Sequence, residues 1–405
     1  MRTSSRGEVD PFIVMDVMEE ARAEEERGRH IIHMEVGQPA ATIPDSAREA
    51  LVEAMETDPL GYTVALGLPE LREGIAALYD DWYGIDLDPQ RVIVTSGSTA
   101  GFILAFTSLF DEGDRVAIGD PGYPSYRNIL RSLGYQPVGI QTSAEHRFQP
   151  RPQDLTGDLS GLLVASPGNP TGTILPREDL SSLIGAAQDR GIAYISDEIY
   201  HGLHYDAPAT SALELSDRVY VINSFSKFFC LTGWRIGWMI VPPEHVRRIE
   251  RIAQNMFICA PHVSQVAALA ALRSRGELEE RVPQYGRNRE ILLKGLPEAG
   301  FRKITRPDGA FYIYADVSEF TSDSRAFATQ LLREAGVSVT PGLDFDPGRG
   351  HGTIRFSFAG DEGELREGLR RLGNWMGKQR AGRAQSGRPG GIRNLPDAPP
   401  RRAAL

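Results

Sequence analysis

The sequence predicts an α/β protein with two units. The large one is built on a mostly parallel sheet covered by helices on both faces. The smaller one is α+β, formed by the C-terminal part and the N-terminal segment. Three observations predict this. Short apolar, β-rich runs fall at 92–94, 116–118, 162–164, 192–195, 219–222 and 238–241, with helical patterns at 98–110, 123–133 and 178–190. Alternating strands and helices point to a parallel sheet. The runs are apolar almost throughout, as strands covered on both faces must be. Finally, small, polar and ionic residues follow five of the runs directly, at 96–99, 120–123, 166–172, 197–200 and 224–227. Open α/β sheets bind ligands beyond the carboxyl ends of their strands, so five distant loops converge on one edge.

The remaining elements follow in order. Residues 11–29 carry Phe12, Ile13, Met15, Val17 and Met18 and then a Glu/Arg run, the pattern of one amphipathic helix leading to a short strand at 31–36. Gly37, Gln38 and Pro39 break the chain. A helix is expected from Pro44 to Met55, a loop at 62–69, and a helix at 70–83 with Leu71, Ile75 and Leu78 on one face. From about Arg287 the pattern changes to a helix at 289–299, an apolar run at 304–314, a helix at 324–335, a short run at 337–340, a strand at 353–358 and a last helix at 362–376. The expected divisions are an N-terminal segment 1–43 joining the small unit, a large unit 44–286, a small unit 287–376 and a disordered basic tail 377–405.

Composition narrows the function. The chain of 405 residues is 41% hydrophobic, enough for a large core. The net charge of −10 is uneven, because residues 377–405 hold seven basic residues and one acidic. The acidic body argues against a nucleic-acid-binding core. Two cysteines, Cys230 and Cys259, make no disulfide framework. No apolar run approaches the roughly 18 residues of a membrane span, and the first residues lack the apolar core of a signal peptide. The expectation is a cytoplasmic protein.

Of the 44 basic residues only four are lysines, namely Lys227, Lys294, Lys303 and Lys378. Lys227 lies among Phe225, Phe228, Phe229, Leu231 and Trp234, with Ser224 and Ser226 beside it and Arg235 eight residues on. Arginine stays protonated in a protein, whereas a lysine amine depressed by burial or a nearby cation becomes a nucleophile. The bland alternative is a surface lysine after a strand; the apolar surroundings favour a covalent amine catalyst in a dry pocket.

An amine nucleophile needs a carbonyl partner. Ser96, Gly97, Ser98 and Thr99 open a helix, whose free N–H groups form an anion site. Ser224 and Arg235 are further phosphate ligands. An aldehyde-bearing phosphate ester bound to a lysine is pyridoxal 5′-phosphate. Its ring nitrogen stays protonated beside a buried carboxylate, for which Asp197 is the candidate, with helix capping as the alternative role. Asn169 and Tyr200 can reach an aromatic hydroxyl, and Tyr123 can stack on a ring. Arg355 is a charge within an apolar strand; its planar fork suits a substrate carboxylate, and a structural ion pair is the alternative. His201 and His204 are two ligands where a metal needs three or four, so no metal is expected.

With these blocks in hand, and with Tyr62, the run Gly67, Leu68, Pro69, Glu70, Leu71, Arg72, and Gly233 and Trp234 before Arg235, residues 10–376 resemble a class I/II pyridoxal-phosphate-dependent aminotransferase of fold type I. The resemblance implies that Lys227 carries the cofactor and then shuttles a proton, with Asp197 at the ring nitrogen, Asn169 and Tyr200 at the phenolic oxygen and Tyr123 on the ring. It implies Ser98, Thr99, Ser224 and Arg235 at the phosphate, and Tyr62 reaching the phosphate of a neighbouring subunit in a homodimer. Gly37 and Asn169 are expected with Arg355 at the substrate. Thr99 and Tyr123 stand where relatives acting on acidic substrates often carry Lys and Trp, and Phe228, Phe229 and Cys230 replace more usual polar or small residues. These departures favour a neutral or aromatic amino donor. The alternatives are a carbon–sulfur lyase on the same fold and, more remotely, a cofactor-binding regulator without turnover.

Overall fold

The computed structural model describes residues 1–386. Its strands are β1 (Ile32–His33), β2 (Val92–Thr95), β3 (Arg115–Asp120), β4 (Gln136–Gln141), β5 (Gly161–Ala165), β6 (Ala193–Asp197), β7 (Tyr220–Ser224), β8 (Gly237–Ile240), β9 (Lys303–Ile304), β10 (Tyr312–Asp316), β11 (Val337–Ser338), β12 (Thr340–Pro341) and β13 (Thr353–Ser357). The α-helices are α1 (Ile13–Glu26), α2 (Asp45–Thr57), α3 (Pro69–Tyr83), α4 (Gly97–Leu109), α5 (Pro124–Leu133), α6 (Arg177–Asp189), α7 (Pro243–Met256), α8 (His262–Arg273), α9 (Arg275–Glu279), α10 (Val282–Ala299), α11 (Ser324–Gln330) and α12 (Glu362–Ser386).

Seven strands form the large sheet in the order β2-β8-β7-β6-β5-β3-β4. All neighbours are parallel except β8, which is antiparallel to both β2 and β7. Side chains along a strand point alternately to opposite faces, and here both sets are apolar. Val92, Val94, Leu162, Val164, Val221, Trp238 and Ile240 enter one core, while Ile93, Leu163, Ile222 and Met239 enter the other. That double burial explains why these runs read as continuously apolar.

The edge strand β4 escapes the sequence pattern. Its residues are largely part-buried or exposed and include Pro137, which an edge strand tolerates because one side of its ladder is unpaired. Residues 242–286, for which no elements were expected, hold α7, α8 and α9 and the start of α10; α8 packs against α2 and α3. The expected division at 286/287 therefore falls inside α10. The expected start of a tail at 377 also needs correction. Lys378, Gln379 and Arg380 are good helix formers, α12 runs on to Ser386, and Gln379 donates to Glu334 at 3.3 Å. The rest of that expectation, residues 387–405, lies outside the described residues. Cys230 and Cys259 are both free, and among the described residues no helix is long and apolar enough to cross a membrane.

The small sheet, in the order β12-β13-β10-β9, is antiparallel throughout. The N-terminal segment joins this part of the protein in two ways. β1 pairs in parallel with β11, although the strand expected over 31–36 shrinks to two residues. Helix α1 starts at Phe12 without a capping side chain of its own; the buried Asp344 accepts the N–H groups of Ile13 (2.9 Å) and Val14 (3.3 Å) instead. A cap supplied across the fold leaves no mark in the local sequence.

His33 ties β1 to α1, with Nδ1 2.7 Å from Glu35 and Nε2 3.1 Å from Glu25. The hydrogen bond to Glu35, aided by both carboxylates, raises His33 from 6.5 to about 9. A histidine raised in the folded state stabilises it fully below its ordinary value and loses that contribution as the pH rises through the folded value. His33→Gln is therefore expected to melt earlier than the parent at pH 6, with the gap closing by pH 10; thermal melts across that range check it.

Candidate active site

Between β7 and β8 the chain makes one excursion, and this positions the reactive amine. Phe225 accepts the N–H of Leu231 (2.9 Å) and donates its own to Ile236 (3.1 Å), while Cys230 and Arg235 adopt left-handed backbone conformations that close the loop. Phe225, Phe228 and Phe229 do not line the cavity, as a pocket built from lysine's sequence neighbours would require. They pack into the core with Trp82 and Trp238, at ring separations of 4.8 to 6.4 Å. The aromatic side chains at the cavity are instead Phe12, Phe102, Tyr123, Tyr126, Tyr200 and Tyr312.

This cavity, of about 330 Å³, holds the Lys227 side chain. Its Nζ donates to the carbonyl of Gly37 at 2.6 Å. Burial, then Arg355, then Arg235 lower the amine from 10.5 to about 8, against the opposing pull of Asp197. Near pH 8 a large share of this lysine is thus neutral and nucleophilic.

Asp197 ends β6 and is 3% exposed. Burial pushes its carboxyl up to about 6, and two donors work against that. The N–H of Ile199 reaches Oδ1 at 3.1 Å, and the Tyr126 hydroxyl donates to Oδ2. The local bond to Ile199 is the capping-type role weighed from sequence; it coexists with a place on the cavity wall. Behind the same turn, Glu198 accepts from Ser196, Ser211 and Ala212. His201, for which no metal role was expected from sequence, is buried in a hydrogen-bonded chain. Its Nε2 donates to the Ser166 carbonyl at 2.8 Å, so Nδ1 accepts from Tyr83 at 2.6 Å, and burial holds it neutral with a value near 4. His204 forms a bridge to Gly309.

Arg355 decides its own assignment. It is 4% exposed in β13, yet among the described residues it forms no ion pair. Its NH1 donates to Asn169 at 2.8 Å, and its NH2 to the Glu35 carbonyl at 2.5 Å and to Thr340 at 3.1 Å. The guanidinium lies over the rings of Tyr312 (4.3 Å) and Phe345 (4.8 Å). Its Nε is buried without a partner. A buried charge normally has an acidic partner, so this cation is suited to an anion that enters the cavity. The structural ion pair weighed from sequence is not what the structure shows.

The end that could take a phosphate is built at the start of α4. Ser98 lines the cavity, and Thr99 follows it in the first turn. Gly97 has φ +75°, and a Cβ there would lie 2.5 Å from the Arg235 guanidinium, so only glycine lets the helix N-terminus approach that cation. Arg235 donates to the Thr232 carbonyl at 3.0 Å and, among the described residues, has no acidic partner. Ser224 is buried, its hydroxyl 2.8 Å from that of Ser226 and 3.0 Å from the Ile236 carbonyl. A helix N-terminus beside an unpaired arginine and hydroxyls fits a phosphate, and the unpartnered Nε of Arg355 fits a carboxylate.

Eight expected residues therefore line one cavity: Gly37, Ser98, Tyr123, Asn169, Asp197, Tyr200, Lys227 and Arg355. Thr99, Ser224 and Arg235 do not line it; they adjoin it at the phosphate end. Tyr62 does neither, being 85% exposed on its loop. Sequence reasoning missed Tyr126, Tyr312, and the α1 residues Val14, Met15 and Met18 that, with Phe12, line the cavity. The Tyr312 hydroxyl is 2.8 Å from that of Tyr200. The spacing of Tyr126, three residues after Tyr123 on the first turn of α5, was the available signal. The α1 stripe was legible as an apolar face but carried no indication of what it faces.

Comparison with known proteins shows the family. A family profile described as aminotransferase class I and II matches residues 29–372. The chain is 45% identical to valine–pyruvate aminotransferase of Mycobacterium tuberculosis, over 93% of this chain and 99% of that protein. It is 33% identical to aspartate aminotransferase of Pyrococcus horikoshii, over 84% and 90%. A crystal structure of an aminotransferase from Mycobacterium tuberculosis, 45% identical, superposes with a TM-score of 0.92 over 94% of this chain and all of that one.

The two arginines generate a prediction about the amine. In the cofactor-free protein, the rate at which Lys227 reacts with a small aldehyde under reducing conditions is expected to rise with a midpoint near pH 8. Arg355→Leu removes the larger cationic contribution and is expected to move that midpoint upward, as peptide mapping of the modified lysine across a pH series would show.

Proposed function

The chain belongs to the class I and II aminotransferases, and on that premise we propose that it moves an amino group from a neutral L-amino acid to a 2-oxo acid with pyridoxal 5′-phosphate held at Lys227. The observation that carries this reading is the buried Arg355, which forms no ion pair among the described residues, facing the same cavity as the depressed amine of Lys227. The bound cofactor supplies an electron sink for charge developing at the substrate Cα and a carrier for the amino group.

The chain's own residues do the rest. Lys227 would hold the cofactor, and its amine is the base placed to move the proton at the substrate Cα. Asp197 would hold a proton at the ring nitrogen by ion pairing, as its place on the cavity wall and its two donors allow. Asn169 presents its amide N–H groups, because its carbonyl oxygen is already taken by Arg355; with the Tyr200 hydroxyl it serves the phenolic oxygen. Tyr123 covers the ring. Ser98, Thr99, Ser224 and Arg235 take the phosphate. Arg355 receives the substrate carboxylate, with the Gly37 carbonyl and Asn169 beside it.

The apolar α1 residues Phe12, Val14, Met15 and Met18 exclude water and favour an uncharged side chain, since burying a lone carboxylate among them is costly. The valine–pyruvate relative points the same way, toward a small apolar donor with pyruvate as acceptor. A homodimer is supported by the exposed apolar residues Val52, Met55, Tyr62, Val64, Met256 and Ile258. In it Tyr62 would reach the partner's phosphate. A cytoplasmic location fits the two free cysteines. The relatives named above are aminotransferases rather than carbon–sulfur lyases.

Reduction with borohydride in the presence of pyridoxal phosphate is expected to leave a single adduct on Lys227. Lys227→Arg is expected to lose both adduct and turnover, and Asp197→Ala to keep the cofactor while losing at least ~100-fold in turnover. Full activity of Lys227→Arg would overturn the reading. In a donor screen with pyruvate, valine is expected to outrun aspartate.

A further inference from the structure

Asp197 has a neighbour whose role the family reading does not assign. Tyr126 rises from the first turn of α5, is 4% exposed, and its hydroxyl donates to Asp197 Oδ2. Its ring is clamped edge-on between Phe102 (5.1 Å) and Tyr123 (5.3 Å), so the phenol has little freedom to turn away. The other oxygen of Asp197 is held by the Ile199 N–H. Each carboxylate oxygen thus carries one fixed donor and keeps acceptor capacity toward the cavity.

A carboxylate this deeply buried tends toward its neutral form unless donors stabilise the anion. The titratable groups that act on Asp197 are Tyr126 from α5, Tyr123 at the N-cap of that helix, Glu198 and Tyr200 from its own turn, and Lys227 from the 225–236 loop. Among these, Tyr126 and Lys227 favour the charged acid. Lys227 acts on Asp197 through its charge alone, which it gives up when it works as a base, and this leaves Tyr126 as the side-chain hydrogen-bond donor to that acid. Burial and the adjoining Asp197 charge hold the phenol well above its ordinary range, so Tyr126 stays a donor at working pH.

We propose that Tyr126 is a positioning residue, which keeps Asp197 ionised and aimed so that the acid can hold a proton at the cofactor ring nitrogen. This rests on the aminotransferase reading, and its failure is separable from the failure of that reading. If Lys227 forms no adduct, the reading itself goes. If the adduct forms normally while the measurements below do not move, only the role of Tyr126 goes.

The test uses the full chain. In the cofactor-free Tyr126→Phe variant with carbon-13-labelled aspartate carboxyls, the Asp197 titration midpoint is expected to rise by about one unit, the worth of a hydrogen bond to a charged group. After loading with pyridoxal phosphate labelled with nitrogen-15 in the ring, the ring-nitrogen resonance is expected to move toward its unprotonated position. Replacing Tyr126 by a ring-fluorinated tyrosine keeps the shape and strengthens the donor, and should lower the Asp197 midpoint; this arm serves also if Tyr126→Phe folds poorly. An unchanged carboxyl midpoint and ring-nitrogen resonance in both variants, even with a lowered melting temperature, would mean that Tyr126 only fills space.

Discussion

An excess of buried positive charge organises this site. Arg355 and Arg235 both act on Lys227 at a small cavity, Asp197 opposes them, and Arg355 also acts on the buried Asp344. Each cation makes the others more costly, and burial multiplies that cost by removing water. The fold leaves the imbalance unresolved: neither arginine has an acidic partner among the described residues, and one guanidinium nitrogen is without any partner. An amine poised near neutrality and two arginines waiting for anions are consequences of the same arrangement. In the proposed reading a phosphate-bearing cofactor and a carboxylate-bearing substrate would supply the missing charge at opposite ends.

The architecture brings those charges together from remote parts of the chain. The 225–236 loop carries Lys227 and Arg235 because β8 returns antiparallel beside β7. β13 delivers Arg355, and the stretch after β1 delivers the Glu35 and Gly37 carbonyls that accept from Arg355 and Lys227. The N-terminal segment is thereby part of the active site. Helix α1, capped by Asp344 and linked through His33 to the strand that precedes Gly37, gives the cavity an apolar wall.

Much of this was legible from sequence for identifiable reasons. The buried strands were readable because both faces are apolar, and the loops after them because helix starts and ligand contacts demand Ser, Gly, Asp and Asn. Lys227 stood out because arginine fills nearly every other basic position. What escaped notice depended on tertiary partners. β4 is an edge strand with a proline, the cap of α1 comes from 331 residues away, and Tyr126 matters only through the acid it meets. The phenylalanines around Lys227 pack inward because the loop turns back at Cys230, a turn that needs a left-handed residue no glycine announces. Helix α12 runs past its expected end through Lys378, Gln379, Arg380 and Ala381, in spite of Gly377 and Gly382.

The central claim is that Arg355 lacks an acidic partner because it is the receptor for the substrate carboxylate. The most direct measurement compares binding of 3-methylbutanoate and of its uncharged amide to the cofactor-loaded protein by calorimetry. The acid is expected to bind ~100-fold more tightly than the amide, the scale of a desolvated, charge-assisted pair, and Arg355→Leu is expected to erase that preference. Equal binding of acid and amide, or a preference that survives Arg355→Leu, would contradict it.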